Sequence, residues 1–226
     1  MRLLFIRHGQ TPYNVTGALD TASPGADLTP LGQAQAQAIP SALAGEGVCG
    51  IFASTAVRTQ QTAAPLMRSC GIDTRVLDGL VEISAGELEL RADAEAVQLY
   101  ISCLGSWLRG DLDRTVPGGT TGHDFYARYD AAVRAVAAEH GPDDSVAVFS
   151  HGGAIRVYAA LAAGLDPGIS TELRILNTGL CVLEGSPETG WDLTRWSGEP
   201  LGGPQLADLQ AHDVTGESTD EVMQER

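Results

Sequence analysis

The chain has 226 residues, a hydrophobic fraction of 43% and a formal net charge of −15. This is enough apolar material for one α/β domain with a sizeable core, and so large an acid excess argues against nonspecific binding to nucleic acid or to an anionic membrane, though not against a locally cationic cleft. All 14 cationic residues are arginine, so Schiff-base chemistry and a P-loop lysine are excluded and any grip on phosphate must come from arginine, histidine and backbone amides.

Taken in chain order, Leu3–Ile6 is a short continuous apolar run, the pattern of a strand buried on both faces. A polar loop follows from His8 to Ala26. Thr29 and Pro30 then read as N-cap and first position of a helix running to about Ala44. Val48–Ala53 reads as a second strand, with Ser54 or Thr55 capping the next helix, which ends near Cys70-Gly71. Thr74–Leu77 reads as a third strand. The stretch from about 83 to 119 holds one helical segment, about Ala92–Leu108, and ends in Pro117-Gly118-Gly119; it reads as a lid inserted over the sheet. Asp124–Glu139 is an Ala-rich helix, Ser145–Phe149 a core strand, and Gly153 to about Ala163 another helix. Arg174–Glu184 and Trp191–Trp196 read as late strands joined by a turn near Pro187. From 198 to 226 the chain is rich in Gly, Pro and acidic residues, and reads as an acidic, mobile or loosely docked tail to a domain spanning 1–197. Strands alternating with helices imply an α/β fold: a three-layer sandwich with a mostly parallel central sheet.

Cys49, Cys70, Cys103 and Cys181 are widely spaced, without a C-x-x-C pair, and are expected to be reduced and mostly buried. Met1–Ile6 is too short for a signal h-region and no run approaches a membrane span, which gives the expectation of a cytoplasmic protein. His123, His140 and His212 show no metal-ligand spacing, so no metal is expected.

Two junctions carry the chemistry. Arg7-His8-Gly9-Gln10-Thr11 directly follows the first strand, and Ser150-His151-Gly152-Gly153 directly follows the strand ending at Phe149. Both obey one grammar of apolar strand, histidine and glycine, at the sheet edge where α/β proteins bind ligands. The helix after His151 aims its free N–H groups at that edge, a seat for an anion. Arg58, one turn into the helix after the second strand, can turn back toward the same edge.

These pieces, in this order, resemble the histidine phosphatase superfamily, which includes the cofactor-dependent phosphoglycerate mutases. Leu28-Thr-x-x-Gly32 and Arg58-x-x-Gln61-Thr62-Ala63 look like family motifs between the two histidines, and Pro117-Gly118-Gly119 resembles the segment returning the lid to the core. The resemblance implies His8 as nucleophile, forming a phosphohistidine, with Arg7, Arg58, His151, Asn14 and Gly152 around the phosphoryl group. Leu80-Val-Glu82-x-x-x-Gly86 fits the family pattern for the proton-donating glutamate, which implies Glu82, with Glu87 and Glu89 as rivals in the same loop. Glu87-Leu88-Glu89-Leu90-Arg91 and Thr120 depart from the usual lid sequence. Trp107, Arg109 and Arg114 are candidates for substrate contact or lid packing, and Arg156 for a bracing role. The span from Glu82 to His151 is short and poor in basic residues, which favours a phosphatase over a mutase. The expected partner is a small phosphorylated metabolite. No cofactor is expected, with 2,3-bisphosphoglycerate needed only by a mutase, and a catalytically dead phospho-ligand sensor is the third alternative. The oligomeric state stays open, a homodimer included.

Overall fold

The computed structural model describes residues 1–217. In it the first apolar run forms β1 (Arg2–Arg7), buried from Leu3 onward. β1 pairs in parallel with β4 (Ser145–Ser150), all of whose residues are buried. β4 pairs in parallel with β2 (Val48–Ala53), and β2 with the short β3 (Thr74–Val76). On the other flank β1 pairs antiparallel with β5 (Leu180–Ser186), and β5 with β6 (Gly190–Ser197). The strand order is β3-β2-β4-β1-β5-β6. Continuous apolar runs in β1 and β4 are what a strand covered on both faces requires.

The helices are α1 (Pro12–Thr16), α2 (Pro30–Ala42), α3 (Val57–Cys70), α4 (Ala94–Leu108), α5 (Gly122–Ala137), α6 (Gly152–Ala162) and α7 (Pro167–Glu172). Alternate strand residues point to opposite faces. Leu3 and Phe5 join a core with α4, α5 and α6, whereas Leu4 and Ile6 join one with α2 and α3. The result is the three-layer α/β sandwich expected from the sequence.

Several local expectations are corrected. The helix after β2 starts at Val57 behind Ala56, without a side-chain cap; Ser54 instead serves the site. Residues 174–179 are irregular rather than strand, and α1 and α7 were not anticipated. Cys49 and Cys70 are exposed, and only Cys103 and Cys181 are buried. Within 83–119, α4 is a packed part of the helical layer rather than a loose cover: Val97, Tyr100, Ile101, Leu104 and Trp107 all lie in the larger core. A helix apolar on most of its circumference has to be buried. Part of the segment expected as a mobile or loosely docked tail is packed onto the domain. Asp213 and Val214 are each only 5% exposed, because Asp213 meets a buried arginine and Val214 enters the core. Residues 218–226, the rest of that expected tail, lie outside the described residues. No described helix is long and apolar enough to cross a membrane.

Candidate active site

Because Arg7 stands beside Ser150 in the β1–β4 register, the next residue of each strand, His8 and His151, emerges at the same sheet edge. Their rings lie 5.3 Å apart, edge to face. His8 is 4% exposed and His151 1%.

The hydrogen bonds assign both tautomers. Nδ1 of His8 lies 2.8 Å from the Gly9 carbonyl oxygen. A carbonyl only accepts, so Nδ1 carries the proton and Nε2 keeps its lone pair. Burial, and then the Arg58 and Arg7 charges, push the His8 pKa well below 6.5, against a weaker opposite pull from the Gly9 carbonyl. The ring is therefore neutral at neutral pH, with the Nε2 lone pair free of a proton. Its backbone is clamped as well: Asn177 Nδ2 donates to the His8 carbonyl at 3.1 Å, and the Thr178 N–H reaches the carbonyls of Arg7 and His8. Thr178 makes this contact with φ at +59°, an uncommon conformation for a β-branched residue.

His151 has the opposite tautomer. Arg58 Nη2 donates to its Nδ1 at 3.2 Å, so Nε2 carries the proton and donates to Ser54 Oγ at 2.8 Å. The Ser54 hydroxyl passes the chain to Thr59 Oγ1 at 2.9 Å, which ends on backbone carbonyls. Burial, followed by the charges of Arg58, His8 and Arg7, holds the His151 pKa well below 6.5.

Glu82 is brought to the same edge, 5% exposed. Its carboxylate caps the start of α6, accepting from the Gly153 N–H at 3.1 Å and the Ala154 N–H at 2.7 Å, and it also accepts from its own neighbour Ile83 at 2.9 Å. The unpaired amides at a helix N-terminus are natural donors to such a side chain. Gly153 makes the approach feasible, since a Cβ there would stand 2.9 Å from a Glu82 carboxylate oxygen. The rivals are placed elsewhere: Glu87 is exposed, and Glu89 accepts from the Thr21 and Ala22 amides and the Thr21 hydroxyl.

A cavity with about 30 Å³ open to the centre of a water molecule is lined by His8, Asn14, Asp20, Arg58, Glu82 and Asp213, among others. Each predicted phosphate ligand is therefore near this edge, but not all face the opening. Arg7, His151 and Gly152 lie behind the lining. Arg58 donates to the Asp20 carboxylate at 3.1 Å and to the Asp20 carbonyl at 2.9 Å. Arg7 gives Nη1 and Nη2 to the two carboxylate oxygens of Asp213, at 2.5 and 2.6 Å. Asn14 Nδ2 donates to the same Asp213 at 3.0 Å. Arg156, fully buried on α6, donates to the Thr215 carbonyl at 2.7 Å.

Four residues that matter here escaped the sequence reading. Asp20 and Asp213 neutralise the buried guanidinium groups of Arg58 and Arg7. Arg128, on α5, donates to the carbonyls of Gly79, Val81 and Glu82 and so holds the loop that presents Glu82. Asn177 holds the His8 backbone. No local motif marks any of the four. Trp107, in contrast, stacks on Phe125 at 5.9 Å and donates to the Arg114 carbonyl, so it packs within the domain. Arg109 is exposed, and Arg114 donates to Ser102 and Ser106. His123 faces Asp113 at the surface and His140 packs on Phe52.

The model of the histidine phosphatase superfamily (branch 1) matches residues 3–198. The PE-PGRS family protein PE_PGRS11 of Mycobacterium tuberculosis is 39% identical over 93% of this chain, and the chain spans 38% of that longer protein. The probable phosphoglycerate mutase GpmB of Yersinia enterocolitica is 25% identical, over 94% of this chain and 98% of its own length. Among solved structures, a mycobacterial glucosyl-3-phosphoglycerate phosphatase in complex with VO3 superposes with a TM-score of 0.75 at 27% identity, covering 88% of this chain and 99% of that one. An alpha-ribazole phosphatase from Shigella flexneri superposes with a TM-score of 0.70 at 23% identity, covering 90% of this chain and 98% of that one, a likeness of fold. A family match running from β1 through β6, across both histidine junctions, leaves one assignment: this chain belongs to the histidine phosphatase superfamily, in its branch 1.

Proposed function

We propose that the protein is a phosphomonoesterase acting on a small phosphorylated metabolite through a phosphohistidine on His8. The observation that carries this reading is the tautomer of His8, with Nδ1–H tied to the Gly9 carbonyl and an unprotonated Nε2 at a cavity bounded by Arg58, Asn14 and Glu82. Nε2 attacks phosphorus, the P–O bond to the leaving group breaks, and the leaving alkoxide takes a proton from the Glu82 carboxyl group. In the second half, water gives a proton to the Glu82 carboxylate and attacks phosphorus, and the P–N bond breaks to return His8 and inorganic phosphate. Arg7, Arg58, Asn14 and the Gly152 amide stabilise the equatorial oxygens, where planar guanidinium forks match oxyanions. His151, held neutral by burial first and then by the Arg58, His8 and Arg7 charges, joins them as a hydrogen-bond donor when a bound dianion offsets those effects.

No metal or other cofactor enters this reaction. The substrate class is a sugar phosphate or a phosphoglycerate derivative; the glucosyl-3-phosphoglycerate phosphatase among the structural neighbours supports the phosphatase branch, while the GpmB resemblance keeps the mutase as the alternative to test. The unmodified protein and His8→Asn are compared for p-nitrophenyl phosphate turnover and for phosphoenzyme trapped in alkaline detergent, which preserves the P–N bond. Turnover and trapped phosphoenzyme are expected only with His8 present; full activity in His8→Asn overturns the mechanism. A 2,3-bisphosphoglycerate requirement with 3-phosphoglycerate isomerisation faster than phosphate release assigns the mutase instead, and phosphate binding without turnover of any metabolite assigns a sensor.

A further inference from the structure

Residues 208–217 cross the carboxyl edge of the sheet as a strap without helix or strand. Asp208 accepts from Gln10 Nε2 at 2.9 Å, Thr215 Oγ1 accepts from Arg7 at 3.0 Å, and the Gly216 carbonyl accepts from the Ile175 N–H at 2.9 Å. Between these anchors Asp213, Val214 and Thr215 form one wall of the cavity. Asp213 is the telling residue. Its carboxylate holds Arg7 and Asn14, two of the donors assigned above to the phosphoryl oxygens. A carboxylate presents two oxygens to a guanidinium fork just as a phosphate does. With the strap down, Arg7 is fully buried and does not line the cavity.

The strap also leaves donors unserved. Arg7 Nε and Arg156 Nε and Nη1 are buried and find no hydrogen-bond partner among the described residues. Arg156 Nη2 has only the strap's Thr215 carbonyl. A buried N–H without an acceptor is unfavourable, so the covered state is an imperfect fit to its two arginines. A tetrahedral dianion offers more charge and more acceptor oxygens than one carboxylate.

We propose that the strap 208–217 is a built-in competitor, in which the Asp213 carboxylate holds Arg7 and Asn14 until a dianionic phosphate group displaces it. Asp213 then acts in specificity as well: a dianion outcompetes it, and a monoanionic ligand does not. The inference rests on the reading of this cavity as the phosphoryl site.

Two measurements on the full-length chain test it. Hydrogen–deuterium exchange is followed at residues 208–217 with and without orthovanadate at about pH 9, where it is mainly the dianion. Faster exchange of the strap on binding is expected; unchanged or slower exchange overturns the proposal. In parallel, Asp213→Asn and Asp213→Ala are expected to bind orthovanadate and inorganic phosphate about tenfold or more tightly, because the competitor is gone. Equal or weaker binding in folded variants overturns it, since that is the result for a carboxylate that merely orders Arg7. If both replacements impair folding, Thr215→Val, which loosens the strap while keeping the carboxylate, is expected to tighten binding by a smaller factor, and weaker binding there counts against the proposal. Failure of the unmodified protein to bind vanadate at all removes the phosphoryl-site reading itself, whereas vanadate binding with a quiet strap removes only the competitor.

Discussion

Gly9 and Gly32 meet backbone to backbone: a Cβ on Gly9 would stand 2.6 Å from the Gly32 carbonyl oxygen, and one on Gly32 would press still closer on the Gln10 carbonyl. This contact joins the loop after β1 to the first turn of α2, and it explains two motif glycines at once. The missing side chain at Gly9 thus serves close packing on the Gly32 backbone.

For Gly32→Ala we expect a loss of about 1–3 kcal/mol of stability from overpacking, with reduced turnover because the His8–Thr11 loop must shift. Gly45→Ala, where a Cβ meets nothing within 4 Å, should stay within about 0.5 kcal/mol of the parent. Chemical denaturation of both variants checks the contrast, and equal stability in Gly32→Ala would contradict the close approach.

Replacing Glu82 by Gln removes the proposed proton donor while keeping one acceptor for the start of α6. General acid catalysis is worth about 10²–10⁴-fold. The loss in kcat should therefore fall in that range for an alkyl phosphate and be much smaller for p-nitrophenyl phosphate, whose leaving group needs no proton. A uniform loss across leaving groups would transfer the role to another acid.

Arg128 donates to the carbonyls of the loop that carries Glu82 and lies over the Phe125 ring, so it is a positioning residue. Arg128→Leu leaves those carbonyls short of a donor, with an expected stability loss of about 1–3 kcal/mol. The diagnostic readout is the leaving-group dependence: it should steepen toward that of Glu82→Gln, with KM little changed. A purely structural role would lower the thermal midpoint and leave the leaving-group dependence alone.

The two neutral histidines set a pH dependence of stability. Their pKa values are lowered in the folded state, by burial first and by Arg58 next. In the unfolded chain they protonate near the ordinary value of about 6.5. Above that pH both states are neutral and nothing is lost. As pH falls below it, the unfolded chain binds protons that the folded chain refuses, so stability declines until the folded pKa values are reached. The slope from these two groups reaches at most about 2.7 kcal/mol per pH unit. Denaturation between pH 7 and 5 should show this decline, reduced by about half in His151→Asn. A flat profile would show that the two rings are not held neutral. For turnover, the acid limb assigned to His8 should lie below pH 6.5.

Much of the fold and the reactive pair was legible in the sequence because it is local. An apolar run, a histidine and a glycine specify a strand end over a handful of residues, and the strand–helix alternation that places both ends at one sheet edge follows from burial on two faces. The Thr29-Pro30 start of α2 was readable for the same reason, and its cap bond to Gly32 is present. The Leu80-Val-Glu82-x-x-x-Gly86 pattern already pointed to Glu82 in the sequence; that Glu82, and neither Glu87 nor Glu89, meets the first turn of α6 is seen only in the structure.

What only the tertiary structure decided are the charge partners of the site. Asp213 lies 206 positions from Arg7, and Asp20 lies 38 from Arg58. In the sequence both belong to polar stretches that read as solvated loop or tail, because composition reports how often a residue type is exposed, not what a particular carboxylate meets after folding. Buried guanidinium groups need counter-charges, and only the arrangement of the chain in space says which acids supply them. The sequence by itself determined the two strand–histidine–glycine junctions and the sheet edge they share; the packing of the last described residues determined that this edge is covered, and by which carboxylate.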